Sequence, residues 1–386
     1  MKTLLPFLLL TSSIALAQTS FPPLEQTEIK GLLVFQLDNG SFASQASQMN
    51  ATVVPASSEK NLTLLFNQEV GPMMVGATQE VEKFMRLRHK ENLDSKTQIE
   101  FAFANKHSPK DGPSAAVVCS LMAESILSGK KIDPGFAATG DMTATGIVQP
   151  VGGVSDKIRG AIEKRCNMVA IPKSNETSIS DTYILKGIAP LYQIQILSLE
   201  TFDDAQKIAL LDRDPEVQEA LDEFAKIQTV LKKNPKYITN GKVREKLRGV
   251  YNTLPNHLSA KYLFLHSANK GPRKLSLLGS LNGIEEASNE LSIMINNDSY
   301  KTRGGGDDIL RELIIDLHRI RPQIDKRLLK YADANRDLAQ FIDTIRGRKN
   351  WNTQLEREMN ETIAKVTSER DRLRNDQAIQ EELNGE

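Results

Sequence analysis

The sequence has few aromatic residues and no excess of charge of either sign. Aromatic residues make up 5% of the 386 residues, and 49 basic side chains balance 49 acidic ones. Proteins that bind nucleic acid or an anionic membrane surface usually carry an excess of positive charge. We therefore expect neither as a partner. A chain of this length fits two domains, or one domain with an extension, and is long enough to bury a hydrophobic core.

Cysteine is equally scarce, since the chain has only Cys119 and Cys166. In an exported protein these two residues allow one disulfide or two free thiols, and two buried, small apolar side chains fit the pattern equally well. Two cysteines without a neighbouring histidine do not provide the ligands of a zinc site. We expect no metal, and the choice between disulfide and thiols stays open.

The beginning of the chain lacks the long apolar run of a membrane-spanning helix, which needs roughly 20 residues. Residues 1–17 instead combine a positive charge at Lys2, a short apolar run at 4–10 and the small-x-small sequence at 15–17. This pattern is typical of a secretory signal peptide. We expect cleavage before Gln18, export to a periplasm or out of the cell, and no stable membrane insertion afterwards. An uncleaved membrane anchor is the alternative.

Strand and helix patterns alternate over residues 28–211. Short runs of strand-forming residues predict strands at 31–37, 51–54, 61–66, 99–103, 168–171 and 194–197, with one strand or a pair within 138–148. Apolar residues at helical spacing predict helices at 73–90, 115–127, 156–165 and 202–211, and Thr201 with Asp204 forms a capping box before the last of them. The mixture predicts a domain of the α+β or α/β type, and we assign it to the α+β class.

Strand patterns are missing beyond Asp214, and residues 212–386 are predicted to be all α-helical. Helical spacing of apolar residues among charges occurs at 215–232, 243–254, 258–269, 284–296, 309–320, 323–345 and 353–383. The last segment is predicted to be one charged amphipathic helix that packs on one side. Three glycines at 304–306 predict a flexible joint in this region.

Ser114 and Lys157 lie in settings that suit nucleophilic catalysis. A serine hydroxyl needs a base, and a lysine is such a base when burial or positive potential lowers its pKa. Lys157 follows Gly152-Gly153 in the first turn of a predicted helix, where the helix dipole disfavours a cation. Ser114 precedes another predicted helix, whose unpaired amides could hold an oxyanion. Taken singly, each residue has a structural explanation, as a helix cap or as a solvated surface charge.

Together the two segments resemble the proteolytic domain of the Lon proteases, whose catalytic dyad is a serine and a lysine. The resemblance rests on PKDGPSA around Ser114, on the Thr-Gly pair at Thr139, and on PVGGVSDK ending at Lys157, with the serine and the lysine 43 positions apart as in the family. It continues without a gap to Pro172 and extends more loosely over residues 28–205.

The resemblance implies that Ser114 is the nucleophile and Lys157 its general base. It also implies a Lon-like domain of mixed short sheets and helices, in which the hydroxyl of Thr139 holds the lysine amine. Asp111 matches an acidic residue of the serine loop, so the resemblance implies that it shapes this loop. A simple turn-forming role beside Gly112 is the alternative.

The sequence departs from the family at several points. Ala116 stands where the family usually has glycine and Asp141 where it usually has glutamate, which concerns the fine geometry rather than the dyad. The ATPase that normally precedes this domain has no counterpart, because the sequence contains no GxxxxGK[ST] motif.

We therefore expect a serine endopeptidase that acts without ATP or another cofactor on flexible or unfolded polypeptides. Because the family's domain packs in rings, a homo-oligomer is a further expectation. The alternative function is that of a non-catalytic scaffold or partner-binding protein that acts through its C-terminal helices.

Overall fold

A seven-stranded sheet organises the first half of the chain. The computed structural model describes residues 25–36, 42–56, 60–91, 93, 96–105, 110–297, 307–346 and 352–385. The predicted signal peptide and the glycine joint lie outside these residues, as does Pro109, the first residue of the PKDGPSA segment.

The strands of the sheet are β1 (Gln26–Gln36), β2 (Phe42–Val54), β3 (Leu62–Phe66), β4 (Thr97–Phe103), β5 (Phe136–Ala138), β8 (Met168–Pro172) and β9 (Gln195–Leu199), in the order β3-β4-β2-β1-β5-β8-β9. β2 runs antiparallel to β1 and β4, and the other pairs are parallel. β6 (Asp141–Met142) and β7 (Val148–Gln149) form a separate hairpin. Every residue of β5, β8 and β9 is buried, which is typical of parallel strands in the middle of a domain.

The helices of this half are α1 (Pro72–Arg88), α2 (Ala116–Ser128), α3 (Val154–Glu163), α4 (Glu176–Lys186), α5 (Ala189–Gln193) and α6 (Phe202–Ala209). α2 ends at Gly129, whose positive φ of 73° suits glycine. The predicted capping box is present at the start of α6. α4 and α5 were not predicted. In α4, the apolar residues are shared between two hydrophobic cores and form no single stripe.

The second half contains α7 (Pro215–Lys233), α8 (Gly241–Thr253), α9 (Leu258–Ser267), α10 (Leu277–Asn296), α11 (Asp307–Ile320), α12 (Leu329–Ile345), α13 (Thr353–Asn375) and α14 (Gln377–Gly385). The predicted fold class, a mixed domain followed by an all-helical region, is confirmed. In the described ranges, no helix is both long and apolar enough to cross a bilayer.

Three helix predictions in this half have wrong bounds. α10 begins at Leu277 rather than at residue 284, because the hydroxyl of Ser276 accepts a hydrogen bond from the amide of Gly279 and caps the helix there. The segment 323–345 becomes α-helical only at Leu329, because Asp325 caps a short 3₁₀ turn ahead of it. The single helix predicted at 353–383 is interrupted at Asp376, whose backbone is extended. The carboxylate of Asp376 accepts a hydrogen bond from the amide of Ile379 and so begins a new helix, α14.

Two separate hydrophobic cores are buried. The first joins the sheet to the helices around it and continues into α7, α8 and α9, with Phe224 and Leu263 fully buried. The second begins at Leu275 and holds the remaining helices together. The predicted division at residues 211 and 212 follows the end of the strands, whereas the first core crosses that point. α4 contributes side chains to both cores.

The outer edge of β9 is covered by the chain that leads into α9. The amide of Ser198 donates a hydrogen bond to the carbonyl of Asn256 (2.8 Å), and the amide of Ile196 donates to the hydroxyl of Ser259 (2.9 Å). Residues beyond the mixed domain therefore complete its sheet.

Candidate active site

Ser114 lies in a 3₁₀ turn, Pro113–Ala115, that leads directly into α2. Gly112, just before this turn, has a φ of 110°, which a residue with a side chain adopts only with strain. The carbonyl of Ser114 accepts a hydrogen bond from the amide of Gly140, 3.0 Å away. The serine loop is thereby attached to the chain that leaves β5.

Asp111 attaches the same loop to the beginning of α1. Its Oδ1 accepts hydrogen bonds from the amides of Gly112 (2.7 Å) and Met74 (3.1 Å). A Cβ atom at Gly71 would lie 2.1 Å from Cγ of Asp111, so glycine is required where the loop meets α1. Asp111 therefore shapes its own turn and also satisfies an amide in the first turn of a helix, where a carboxylate is favoured by the helix dipole.

Thr139 directly follows β5 and is completely buried. Its amide donates to the carbonyl of Ala170 in β8 (3.1 Å). Its hydroxyl donates to the carbonyl of Ser114 (3.3 Å) and accepts a hydrogen bond from Nζ of Lys157 (3.0 Å). Thr139 thus links the segment that carries the serine to the side chain of the lysine.

Lys157 lies in the first turn of α3 and has an exposed fraction of 4%. Burial lowers the pKa of its amine from 10.5 to about 8, because the charged form is poorly solvated in the interior. The sequence pointed to the helix dipole as the cause, whereas the structure identifies burial. About half of the molecules would carry a neutral lysine amine near pH 8.

In the described part of the chain, no hydrogen bond joins the hydroxyl of Ser114 to the amine of Lys157. Among the described residues, the Ser114 hydroxyl forms no hydrogen bond, and the Lys157 amine is bound to Thr139. Hydrogen bonds between catalytic groups are often long in an enzyme without substrate and tighten when substrate binds. The two residues are brought to the same place in the fold through Thr139 and the Ser114 carbonyl.

Two of the amides at the start of α2 that we expected to be unpaired are already hydrogen-bonded. The amide of Ala116 donates to the carbonyl of Pro113, and the amide of Val117 donates to the carbonyl of Gly140 (3.1 Å). An oxyanion would therefore have to use an amide earlier in the turn.

Asn175 is a residue of the site that the sequence analysis missed. Its side chain is 2% exposed and forms two hydrogen bonds with the backbone of Val151. Oδ1 accepts from the Val151 amide (2.9 Å), and Nδ2 donates to the Val151 carbonyl (3.1 Å). Asn175 stands at the N-cap position of α4, where asparagine is common, yet its side chain does not cap that helix. The local sequence therefore gives no signal of its contact with the turn before Lys157.

The remaining sequence candidates lie around this centre. Cys119 and Cys166 are both buried free thiols. Of the predicted alternatives, the structure therefore has two thiols and no disulfide between them. Asp141 is half-buried, and burial, together with the nearby carboxylate of Glu80, raises its pKa. Within the described residues, no cluster of three or more His, Cys, Asp or Glu side chains could hold a metal ion.

Comparison with known proteins adds independent information on this segment. Residues 43–212 match the family model of the Lon protease (S16) C-terminal proteolytic domain. The match covers Ser114, Thr139, Lys157 and Asn175 but begins after β1.

Among curated proteins, the chain is 31% identical to an archaeal Lon protease of Thermococcus kodakarensis over 173 residues, which cover 45% of this chain and 26% of the relative. It is 30% identical to Lon protease 2 of Borreliella burgdorferi over 155 residues, which cover 38% of this chain and 20% of the relative. It is 44% identical to a Lon protease of Finegoldia magna over 73 residues, covering 19% and 9%. The chain therefore spans at most about a quarter of the length of these three relatives.

Proposed function

We propose that this chain is a serine endopeptidase in which Ser114 attacks the peptide bond and Lys157 is its general base. One observation carries the proposal: the buried amine of Lys157, with a pKa of about 8, is held by Thr139, which is hydrogen-bonded to the backbone of Ser114. A general base needs a pKa near the working pH, and burial gives the Lys157 amine such a pKa. The similarity of residues 43–212 to a proteolytic domain supports the same conclusion.

In the first step, the neutral Lys157 amine accepts the proton of the Ser114 hydroxyl while the oxygen attacks the peptide carbonyl carbon. The Thr139 hydroxyl, which donates to the Ser114 carbonyl, keeps an oxygen lone pair directed at the lysine and so stabilises the ammonium that forms. The proton then passes from Lys157 to the leaving amine, and the carbonyl carbon remains bound to Ser114 as an ester. Water, deprotonated by Lys157, hydrolyses this ester and restores the serine.

The oxyanion formed in each step needs hydrogen-bond donors near Ser114. The amides of Ala116 and Val117 are engaged within the protein. We assign the role to the amide of Ser114 itself. It is the first amide N–H of the 3₁₀ turn, because Pro113 has none, and amides at the beginning of a helix lack helical partners. Asp111 contributes by holding this turn against α1.

We further propose that the substrates are flexible or unfolded polypeptides, that cleavage needs no ATP, and that the mature protein is exported after removal of residues 1–17. The signal-peptide pattern supports export. Without an ATP-driven unfolding step, a protease reaches only peptide bonds that are already in extended, accessible chain. A ring-shaped homo-oligomer is a further proposal, and gel filtration with light scattering would measure its mass.

The test is cleavage of reduced casein by the chain from Gln18 onward, with and without ATP. Wild type is compared with Ser114→Ala and Lys157→Met. Two matched controls are Ser120→Ala, a buried serine on α2, and Lys164→Met, an exposed lysine that follows α3. We expect cleavage by wild type and both controls, equal with and without ATP, and none by the two site variants.

A non-catalytic scaffold is the outcome that would replace this proposal. It predicts no cleavage by any variant and normal partner binding by the Ser114→Ala protein. Cleavage that survives in Ser114→Ala would also overturn the assignment, because the activity would then arise elsewhere or from a contaminant.

A further inference from the structure

The turn before α3 determines where Lys157 lies, but its own residues do little to fix its conformation. Within the described residues, no side chain caps α3, and its N-cap residue Gly153 has a φ of 69°. An added Cβ atom at Gly152 would meet no described atom within 4 Å. Two consecutive glycines give a backbone many accessible conformations. The position of the lysine helix must therefore be fixed from outside the turn.

α3 itself is held by hydrogen bonds of Ser44 with the Asp156 carbonyl and of Thr182 with the Ser155 hydroxyl. The side chain of Asn175 holds the residue before the two glycines. It binds both the amide and the carbonyl of Val151, the last residue before the two glycines, at 2.9 Å and 3.1 Å. Because Asn175 is 2% exposed, water does not easily replace either hydrogen bond. A two-point contact fixes the orientation of the Val151 peptide groups as well as their position.

Asn175 is also linked to the other partner of Lys157. It follows β8 by three residues, and β8 accepts the hydrogen bond from the amide of Thr139 through the carbonyl of Ala170. The backbone of Thr139 is therefore bound to the buried strand β8, and the turn before the lysine helix is bound to a residue that follows the same strand. The Lys157 amine and the Thr139 hydroxyl, 3.0 Å apart, are thus both positioned relative to β8.

We propose that Asn175 is a positioning residue for the general base: it holds the Val151 turn so that the Lys157 amine stays buried against Thr139. The inference rests on the proposed function and deepens it. Asn175 does not touch the reacting atoms and acts through Lys157.

Loss of this contact has a specific electrostatic consequence. If the turn moves, water reaches the Lys157 amine and the effect of burial on its pKa decreases. Burial is the cause of the lowered pKa. Most charged side chains on the elements around α3 bind groups other than Lys157; these are Asp156 and Arg159 on α3, Glu176, Asp181 and Lys186 on α4, Glu286 on α10, and Lys30 on β1. Two others, Glu163 on α3 and Glu28 on β1, are exposed.

The experiment compares wild type with Asn175→Ala and Asn175→Asp in the full chain from Gln18. Asn335→Ala is the matched control, because Asn335 is a 4% exposed asparagine in the second core that donates to the carbonyl of Tyr331. For Asn175→Ala we expect kcat to fall by about 10²-fold with KM nearly unchanged. The pH at which kcat/KM is half-maximal should rise from about 8 towards 10.5. Asn175→Asp keeps the acceptor for the Val151 amide and should retain more of the wild-type kcat than Asn175→Ala.

A purely structural role for Asn175 predicts a different result, which Asn335→Ala illustrates: a lower Tm with the pH midpoint unchanged. That result for both Asn175 variants would overturn the proposal. An NMR titration of Lys157 with isotope-labelled lysine, assigned by means of Lys157→Arg, gives the same comparison without any activity. If wild type does not cleave casein, the proposed protease function fails, while an upward shift of the Lys157 pKa in Asn175→Ala still supports the positioning role.

Discussion

Replacing Lys157 by methionine should make the fold more stable at neutral pH. Methionine has a similar unbranched shape and can fill the same buried space, but it carries no charge. The amine has a pKa of about 8 in the fold and 10.5 as a free side chain, a difference that corresponds to about 3 kcal/mol of unfavourable interaction in the folded state. The hydrogen bond to Thr139 is lost, which lowers stability by about 1 kcal/mol. We expect a net gain of about 2 kcal/mol near pH 7.

This gain should depend on pH in a defined way. Below about pH 8 the lysine is charged in both states, so the folded wild type carries the full unfavourable term. Between about pH 8 and pH 10.5 the folded protein releases the proton while the unfolded chain keeps it, so wild-type stability rises with pH. The advantage of the variant should therefore be complete below about pH 8 and shrink as the pH rises. By about pH 10.5 the variant should be less stable than wild type by about 1 kcal/mol, because only the lost hydrogen bond to Thr139 remains.

Urea unfolding followed by far-ultraviolet circular dichroism, from about pH 6 to about pH 11, measures this difference through the midpoint concentration. Lys164→Met, an exposed change at the end of the same helix, is the control and should alter the midpoint little at any pH. A variant that is less stable than wild type by the same amount at every pH would refute the reasoning, because the lysine would then contribute packing and hydrogen bonding but no buried charge.

Four further outcomes are expected. The initial rate of wild-type casein cleavage should rise as the pH passes through about 8, as Lys157 loses its proton, and a flat profile would exclude this base. Thr139→Val, which removes the hydroxyl but keeps the shape, should reduce kcat by at least about tenfold, and Thr139→Ser should retain more activity. Gly71→Ala should lower both Tm and activity, because the added methyl group would collide with Asp111. Gly76→Ala, within α1, adds a methyl group that meets no described atom within 4 Å and should stabilise the protein by up to about 1 kcal/mol in a thermal melt. Protein recovered from the culture medium or periplasm should begin at Gln18 by mass spectrometry, and an intact Met1 would contradict export with cleavage.

Much of the fold was predictable because its signals are local. The alternation in β4, the glycine after α2 and the capping box at Thr201 each depend on a few neighbouring residues, and the corresponding elements are present. The errors occur where contacts between residues distant in the sequence determine where a helix forms or ends. α4 packs on two cores and therefore lacks a single apolar stripe, and the break at Asp376 depends on one side chain that caps the following helix instead of continuing the preceding one.

In the candidate site, too, local features were predictable from the sequence and contacts between distant residues were not. Ser114, Thr139, Lys157 and Asp111 were predicted because each lies in a short and specific sequence segment. In the structure Thr139 is hydrogen-bonded to Lys157 and to the Ser114 carbonyl, whereas Asp111 holds the serine loop against α1. The contact of Asn175 with Val151 joins positions 24 residues apart and follows no local rule. Likewise, the degree of burial that lowers the Lys157 pKa is a property of the packed interior, which a helix-dipole argument from sequence does not contain.

The covered edge of β9 has a practical consequence for dividing this protein. A fragment that ends at residue 211 would lose α7, α8 and α9, and with them the partners of the Ile196 and Ser198 amides. An uncovered edge strand with buried neighbours pairs readily with other chains and promotes aggregation. Inactivity of such a fragment would then report misfolding rather than the need for a regulator. A fragment that ends between residues 268 and 274, after α9 and before the second core begins, keeps these partners of β9, and of the elements around the candidate site it uncovers only the side of α4 that packs on the second core.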